Sequence, residues 1–308
     1  MIRGDTVLLN KFIEDITEGY RKITEKDLPK IFIAKIKKVF TKKLYGNTNY
    51  NSYEILNSTL KKFVQAQLNL NPYTGKNRVL CNMFYFNKEE MTKSNIKKEL
   101  TQINNFYKFK YEITIPINTS NKKILKLMKE INAVEIGNNF VGNVDKGLEI
   151  LKSTAKKLPE GFSIKLMNYR RDIDKVLSVD KISQKREESS VATTYTAYHR
   201  DEMRKYFLQM CKSKSSFSLY YHNKIIGVAA ILYNFKYKRV GHIGTIAIIP
   251  QYQGRGLSYN LYQTMLNDMK MRKVKMYTGH TTTHKVLKIS KRLKRENILK
   301  TFFTTIIS

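Results

Sequence analysis

A chain of 308 residues, 42% hydrophobic and 11% aromatic, is long enough for two domains and apolar enough to pack their cores, which excludes a disordered chain. Lys and Arg number 57 against 25 Asp and Glu, a formal charge of +32; this favours a polyanionic partner such as DNA, tRNA or an acidic ligand, although Lys-rich codon bias is a second origin. No apolar run reaches the roughly eighteen residues of a membrane span, no signal-peptide core follows Met1, and Cys81 and Cys211 lack disulfide or metal-ligand spacing. An intracellular protein with buried thiols and no metal centre is therefore expected.

In chain order, Lys30 to Phe40 reads as a helix entered through Pro29, and the apolar residues Ile55, Leu56, Leu60, Phe63 and Val64 predict a second helix over Tyr53–Leu68. Asn71 to Gly75 is a turn. A strand at Val79–Phe86, a helix at Asn95–Phe106, a strand at Tyr111–Ile117 and a helix at Asn121–Ile131 follow. Beyond a linker predicted at Lys152–Glu160, the order continues with a strand at Gly161–Met167, helices at Asp172–Leu177 and Ala197–Cys211, and a hairpin of Ser216–Tyr221 and Ile225–Asn234. His242–Ile249 is then a strand, Leu257–Met271 a helix, Lys273–Thr278 a strand and Thr283–Leu293 a helix.

The halves align without a gap. Ser120–Lys129 matches Thr282–Lys291 at an offset of 162 residues, since 282 − 120 = 162, and the same offset lays Cys81–Phe86 on Ile243–Ile248. A diverged duplication is the reading, with domains at 1–155 and 156–308. The offset also sets Met91–Ile96 against Gln253–Ser258, and only the second copy contains glycine.

Ile246-Ala247-Ile248-Ile249-Pro250-Gln251-Tyr252-Gln253-Gly254-Arg255-Gly256-Leu257-Ser258 carries the sharpest chemical signal: an apolar strand, a turn with two glycines, then a helix start. Glycines let backbone approach a ligand closely, and a new helix offers unpaired N–H groups and a positive dipole end. A pyrophosphate suits such a cradle.

On these residues the C-terminal half resembles the GCN5-related N-acetyltransferase (GNAT) superfamily, whose signature of Gln or Arg, two residues, Gly, one residue, then Gly or Ala is met by Gln253–Ser258 with Ser258 in the last place. The resemblance implies an α/β fold of two tandem GNAT-like domains, each a mixed, mostly antiparallel sheet flanked by helices, with strands 4 and 5 of the C-terminal domain splayed apart. It implies binding of acetyl-CoA or another acyl-CoA, with Gln253, Gly254, Arg255, Gly256, Leu257 and Ser258 on the pyrophosphate and the edge of Ile246, Ala247 and Ile248 along the pantetheine. The N-terminal copy, with Glu89 and Glu90 near Lys93, reads as a degenerate domain.

The implied reaction is direct attack of an amine on the thioester, which calls for a base and an acid. His280 and His242 are the candidate bases, with Asp201 and Glu202 behind them. The resemblance implies a tyrosine acid where this chain aligns Ser290, a poorer acid; Tyr277, a water, or a thiolate that leaves with little assistance are the alternatives. Lys285, Lys288, Arg292 and Arg295 recur at helical spacing and form a candidate surface for nucleic acid, either DNA or tRNA. The acceptor is therefore expected on or near a polyanion. A small-molecule or protein amine, and a non-enzymatic nucleic-acid-binding protein on this scaffold, are the alternatives.

Overall fold

The computed structural model describes residues 50–56, 59–70, 77–108, 112–119, 121–184, 197–233, 240–281 and 284–304. The predicted helix at Lys30–Phe40 and the turn at Asn71–Gly75 lie outside them. The described chain falls into two units: one runs through Asn138 and takes in the chain from Asn297 onward, the other runs from Asn139 to Glu296.

In the first unit, β1 (Tyr50–Leu56), β2 (Thr59–Leu70) and β3 (Asn77–Phe86) form an antiparallel meander, and β3 pairs in parallel with β4 (Ile113–Asn118). Helix α1 (Lys93–Tyr107) connects β3 to β4, and α2 (Lys122–Glu130) follows β4. The helix predicted over Tyr53–Leu68 is thus corrected to two strands. Apolar spacing there fits either period, and pairing with β3, which sets Val64 opposite Phe84 and the buried Ala66 opposite the buried Cys81, decides for the strand. The core adds Ile96, Leu100 and Ile103 of α1 and Ile113 and Ile115 of β4.

The second unit contains the C-terminal part of β5 (Val134–Asn143), then α3 (Val144–Thr154), β6 (Phe162–Leu166), α4 (Tyr169–Gln184), α5 (Ala197–Lys212), β7 (Ser216–Tyr221), β8 (Lys224–Tyr233) and β9 (Val240–Ile248). A single 3₁₀ turn (Pro250–Tyr252), α6 (Leu257–Met271), β10 (Met276–Thr281) and α7 (His284–Arg292) complete it. Its strand order is β5-β10-β9-β8-β7-β6. The β6–β9 run is antiparallel and β9–β10 is parallel, a mixed sheet flanked by helices as expected.

Three elements went unpredicted around the first unit's boundaries: β5, α3 and β11. Asn143 caps α3 by accepting the N–H of Lys146 at 3.0 Å, and Val144, Leu148 and Leu151 of α3 enter the second unit's core. The boundary therefore falls near Asn138 instead of at 155/156, and the linker expected at Lys152–Glu160 holds the end of α3 and the loop to β6. Strand β11 (Glu296–Thr304), the third unpredicted element, pairs antiparallel with β4 of the first unit, from Leu299 opposite Asn118 to Thr304 opposite Ile113.

Elements recur along the chain at the offset seen in the sequence. Helix α2 begins at Lys122 and α7 at His284, and 284 − 122 = 162; β5 and β11 begin at Val134 and Glu296 with the same spacing. The remaining pairs, β3 with β9, α1 with α6 and β4 with β10, follow in the same order.

Candidate active site

The loop before α6 is shaped by two left-handed residues, Gly254 and Gly256, both at φ +80°. Only glycine takes this region without strain. Nothing lies within 4 Å of where a Cβ would stand at either position, so the loop faces open space. Gly256 is the N-cap of α6 and supplies no side-chain cap, so the first-turn N–H groups of this fifteen-residue helix are left for another acceptor. Gln253 turns away from that space and donates from Nε2 to the Ile248 carbonyl at 2.7 Å, tying the loop to the end of β9. Arg255 lies over the Tyr252 ring, 5.2 Å from its centroid, and Tyr252 packs on Tyr221 and Phe162.

Strand β9 leads into this loop with one edge open. Its pairing with β10 ends at Gly279 opposite Ile243, while its pairing with β8 continues to Ile248 opposite Gly227. Residues 244–248, including Ile246, Ala247 and Ile248, thus run beyond the last β10 partner. This is the expected splay. A strand edge of this kind can hydrogen-bond an extended amide chain.

Alternation along β9 and β10 sorts the other candidates by face. His242 lies opposite Thr278, and its Nδ1 is 3.0 Å from Thr278 Oγ1. His280, two residues along β10 from Thr278, shares that face; it was expected beyond the strand end but lies within β10, which is displaced because Lys273 at φ 59° ends the preceding helical turn. His280 Nδ1 is 3.1 Å from Asn139 Oδ1, and the side chain is exposed. Tyr206 of α5 reaches the same face: a Cβ on Gly244 of β9 would fall on its hydroxyl. Burial, and next the positive charge of Arg295, lower the His242 pKa from its ordinary 6.5. The imidazole is neutral at pH 7.

Tyr277 lies on the opposite face of β10. Tyr277 is fully buried, its ring packed where Gly142 of β5 and Gly147 of α3 leave room; a Cβ on Gly142 would stand 2.5 Å from the ring. Burial pushes its phenol pKa up, and its hydroxyl has no hydrogen-bond partner. Ser290 is likewise fully buried and receives a hydrogen bond from Arg295 Nη1 at 3.1 Å. Both are fully buried, which weighs against the acid role considered for them. Tyr277→Phe is accordingly expected to leave turnover unchanged and to hold or raise stability by about 1 kcal/mol, since it removes an unpaired buried hydroxyl. Urea denaturation and an activity assay check this; a large loss of turnover would restore Tyr277 as an acid.

The basic face also changes. Helix α7 ends at Arg292, and Lys294 at φ 49° turns the chain so that the Arg295 N–H donates to the Ser290 carbonyl at 2.9 Å. Arg295 is thereby directed into the core instead of continuing the helical stripe. Lys288 and Arg292 stay exposed, with Arg292 over the Tyr259 ring at 5.4 Å; Lys285 has no described side chain. Among the described residues no group of side chains is arranged to hold a metal, and no helix is long and apolar enough to cross a membrane. Both cysteines are free, Cys81 buried and Cys211 half-buried.

Residues 184–287, which include this loop, the open β9 edge and both histidines, match the family model described as the Acetyltransferase (GNAT) family. Over these residues the chain is similar to that family. The fold agrees. A GCN5-related N-acetyltransferase from Sphaerobacter thermophilus superposes with a TM-score of 0.58 at 13% identity, over 80% of this chain and 77% of that one. A GCN5-related glucosamine N-acetyltransferase region of a fungal multi-domain GH3 beta-N-acetylglucosaminidase gives 0.54 at 9% identity, over 95% of this chain and 37% of that one. An acetyltransferase from the GNAT family of Colwellia psychrerythraea gives 0.50 at 10%, over 89% and 96%. No curated protein matches the sequence.

Within residues 184–287, Tyr206, Thr278 and Gly244 were not among the sequence candidates. Thr278 and Gly244 sit two residues from predicted candidates, so strand alternation alone could have flagged them. Tyr206 comes from a helix distant in sequence, and no local pattern marks it.

Proposed function

We propose that the protein is an acyl-CoA-dependent N-acyltransferase, with acetyl-CoA as the expected donor. The observation that carries this reading is the open edge of β9 running directly into an uncapped helix N-terminus. The two suit the two ends of one ligand: an extended chain of amides on the edge, a pyrophosphate on the N–H groups of residues 254–258. The thioester then falls near the point where β9 and β10 part, and supplies an activated acyl carbon.

At that point His242 is the proposed base. In the tautomer whose Nδ1–H donates to Thr278 Oγ1, Nε2 carries the lone pair. It takes the proton released as the acceptor nitrogen forms its bond to the acyl carbon and the carbon–sulfur bond breaks. Thr278 orients the ring, and His280 and Tyr206 line the same face for the acceptor. The buried Tyr277 and Ser290 supply no proton to the thiolate. Titration calorimetry with acetyl-CoA, followed by thiol release with a panel of amines, tests the reading; absence of CoA binding by the wild type would sink it.

The acceptor is proposed to be carried on, or held near, a polyanion. A formal charge of +32 and the exposed Lys288 and Arg292 support this, each phosphate contact adding salt-dependent affinity. The double change Lys288→Glu with Arg292→Glu is expected to weaken a tRNA or duplex-DNA gel shift about tenfold at low salt and to flatten its salt dependence. An unchanged shift favours a small-molecule or protein amine. The recurrence of elements at a 162-residue spacing supports descent of the two halves from one duplicated domain, of which the first lacks the glycine loop.

A further inference from the structure

Arg295 is a cation enclosed in the second unit. It is only 7% exposed, and its guanidinium lies over the rings of Phe140 and Tyr277 at 5.3 and 5.2 Å. Nη1 donates to Tyr262 Oη at 3.2 Å and to Ser290 Oγ at 3.1 Å, both neutral oxygens. Nε and Nη2 have no hydrogen-bond partner, and among the described residues no carboxylate pairs with the side chain. Buried N–H groups are rarely left unpaired, least of all on a charged group.

The geometry of that unpaired edge is informative. Nε–H and the adjacent Nη2–H lie on one side of the planar guanidinium and form the fork that grips a carboxylate through two parallel hydrogen bonds. Bonds to Tyr262 and Ser290 hold Nη1, so the fork is fixed in direction. Its Nη2 end borders Gly279, where a Cβ would stand 2.6 Å from Nη2 and 3.4 Å from the Ile243 carbonyl. Gly279 opposite Ile243 is the last β9–β10 pair, so the fork sits at the closed end of the opening between these strands. A side chain at 279 would displace it.

We propose that Arg295 is a carboxylate-recognition residue, its Nε–Nη2 edge receiving a carboxylate that the acyl donor or the acceptor carries into the opening between β9 and β10. This deepens the acyl-transfer reading and rests on it. Arg295 lies on the sheet face opposite His242, which favours the donor: an acyl chain ending in a carboxylate would meet Arg295 while the acceptor amine meets His242. The face reading follows from alternation, His242 and Thr278 on one side, Tyr277 and Gly279 on the other.

The test uses the full chain, wild type, Arg295→Gln and Arg295→Lys, the lysine keeping the charge but losing the fork. Thermal unfolding in acetate or succinate is compared with chloride at equal ionic strength. Carboxylate is expected to raise the wild-type midpoint by about 2 °C and neither variant's. Binding of acetyl-, malonyl- and succinyl-CoA and turnover of glycine against glycinamide then locate the source. A preference of at least about tenfold for a dicarboxylic thioester assigns the donor, and a like preference for glycine assigns the acceptor. Either preference is expected to vanish in both variants while affinity for CoA itself is unchanged. A wild type with no carboxylate-dependent midpoint and no preference in either arm overturns the proposal, as does a preference that survives in folded variants. If the variants do not fold, the wild-type comparisons decide. If CoA itself fails to bind, the acyl-transfer reading falls, and the carboxylate-dependent midpoint still judges Arg295.

Discussion

Gly256→Glu is expected to weaken acyl-CoA binding by on the order of a hundredfold or more in titration calorimetry. Three effects act together. A side chain enters the space the pyrophosphate would occupy, its carboxylate repels the phosphates, and it accepts the N–H groups that would have held them. The variant should still fold, because nothing of the protein lies within 4 Å of a Cβ at this position and the left-handed φ of +80° costs roughly 1–2 kcal/mol. Binding and stability thus separate. An affinity equal to that of the wild type in a folded Gly256→Glu protein would mean that the donor's phosphates lie elsewhere.

His242→Gln should lower kcat by about 10²–10⁴-fold, the usual range for losing a positioned base, with little change in donor KM. Glutamine can keep the hydrogen bond to Thr278 Oγ1, so the loss reports proton transfer more than packing. The pH dependence follows from the lowered pKa. Folded His242 binds its proton less readily than the unfolded chain, whose histidine titrates near 6.5. As pH falls below about 6.5 the unfolded state gains protons first, so this histidine's contribution to stability declines there and is intact above it. Activity of the wild type should hold to a lower pH than an unperturbed histidine would allow. His242→Gln should lose both the acid limb of the rate profile and this part of the stability decline. A Gln variant with full turnover would pass the role to His280.

The predicted helix α6 ran from Leu257 to Met271, as it does in the structure, because Gly256 starts it and its apolar period is long. The glycine loop was legible for the same reason: its chemistry is local. Where partners come from far along the chain, the reading failed. Residues 53–56 and 59–68 satisfy a helical period but are strands, β1 paired with β2 and β2 with β3, and Val134–Asn143, rich in Asn and Gly, carries no alternation and is a strand through its place beside β10. Arg295 was assigned to the surface by extending a helical stripe past the residue where the helix stops. One left-handed residue, Lys294, separates the exposed Arg292 from the buried Arg295.

The partnership of β4 and β11 has a consequence for the order in which the protein is made. Thr119 and Asn297, bonded at 2.7 Å through the Thr119 hydroxyl, are 178 residues apart, and β11 is synthesised after every other described element. Until then the apolar strand with Ile113, Ile115 and Ile117 is an open edge, the kind of surface that draws other chains into aggregates. The second unit has all its own strands by the time Thr281 is made, so translation presents a sheet that can close before the one begun earlier. The first half of the polypeptide waits on the last.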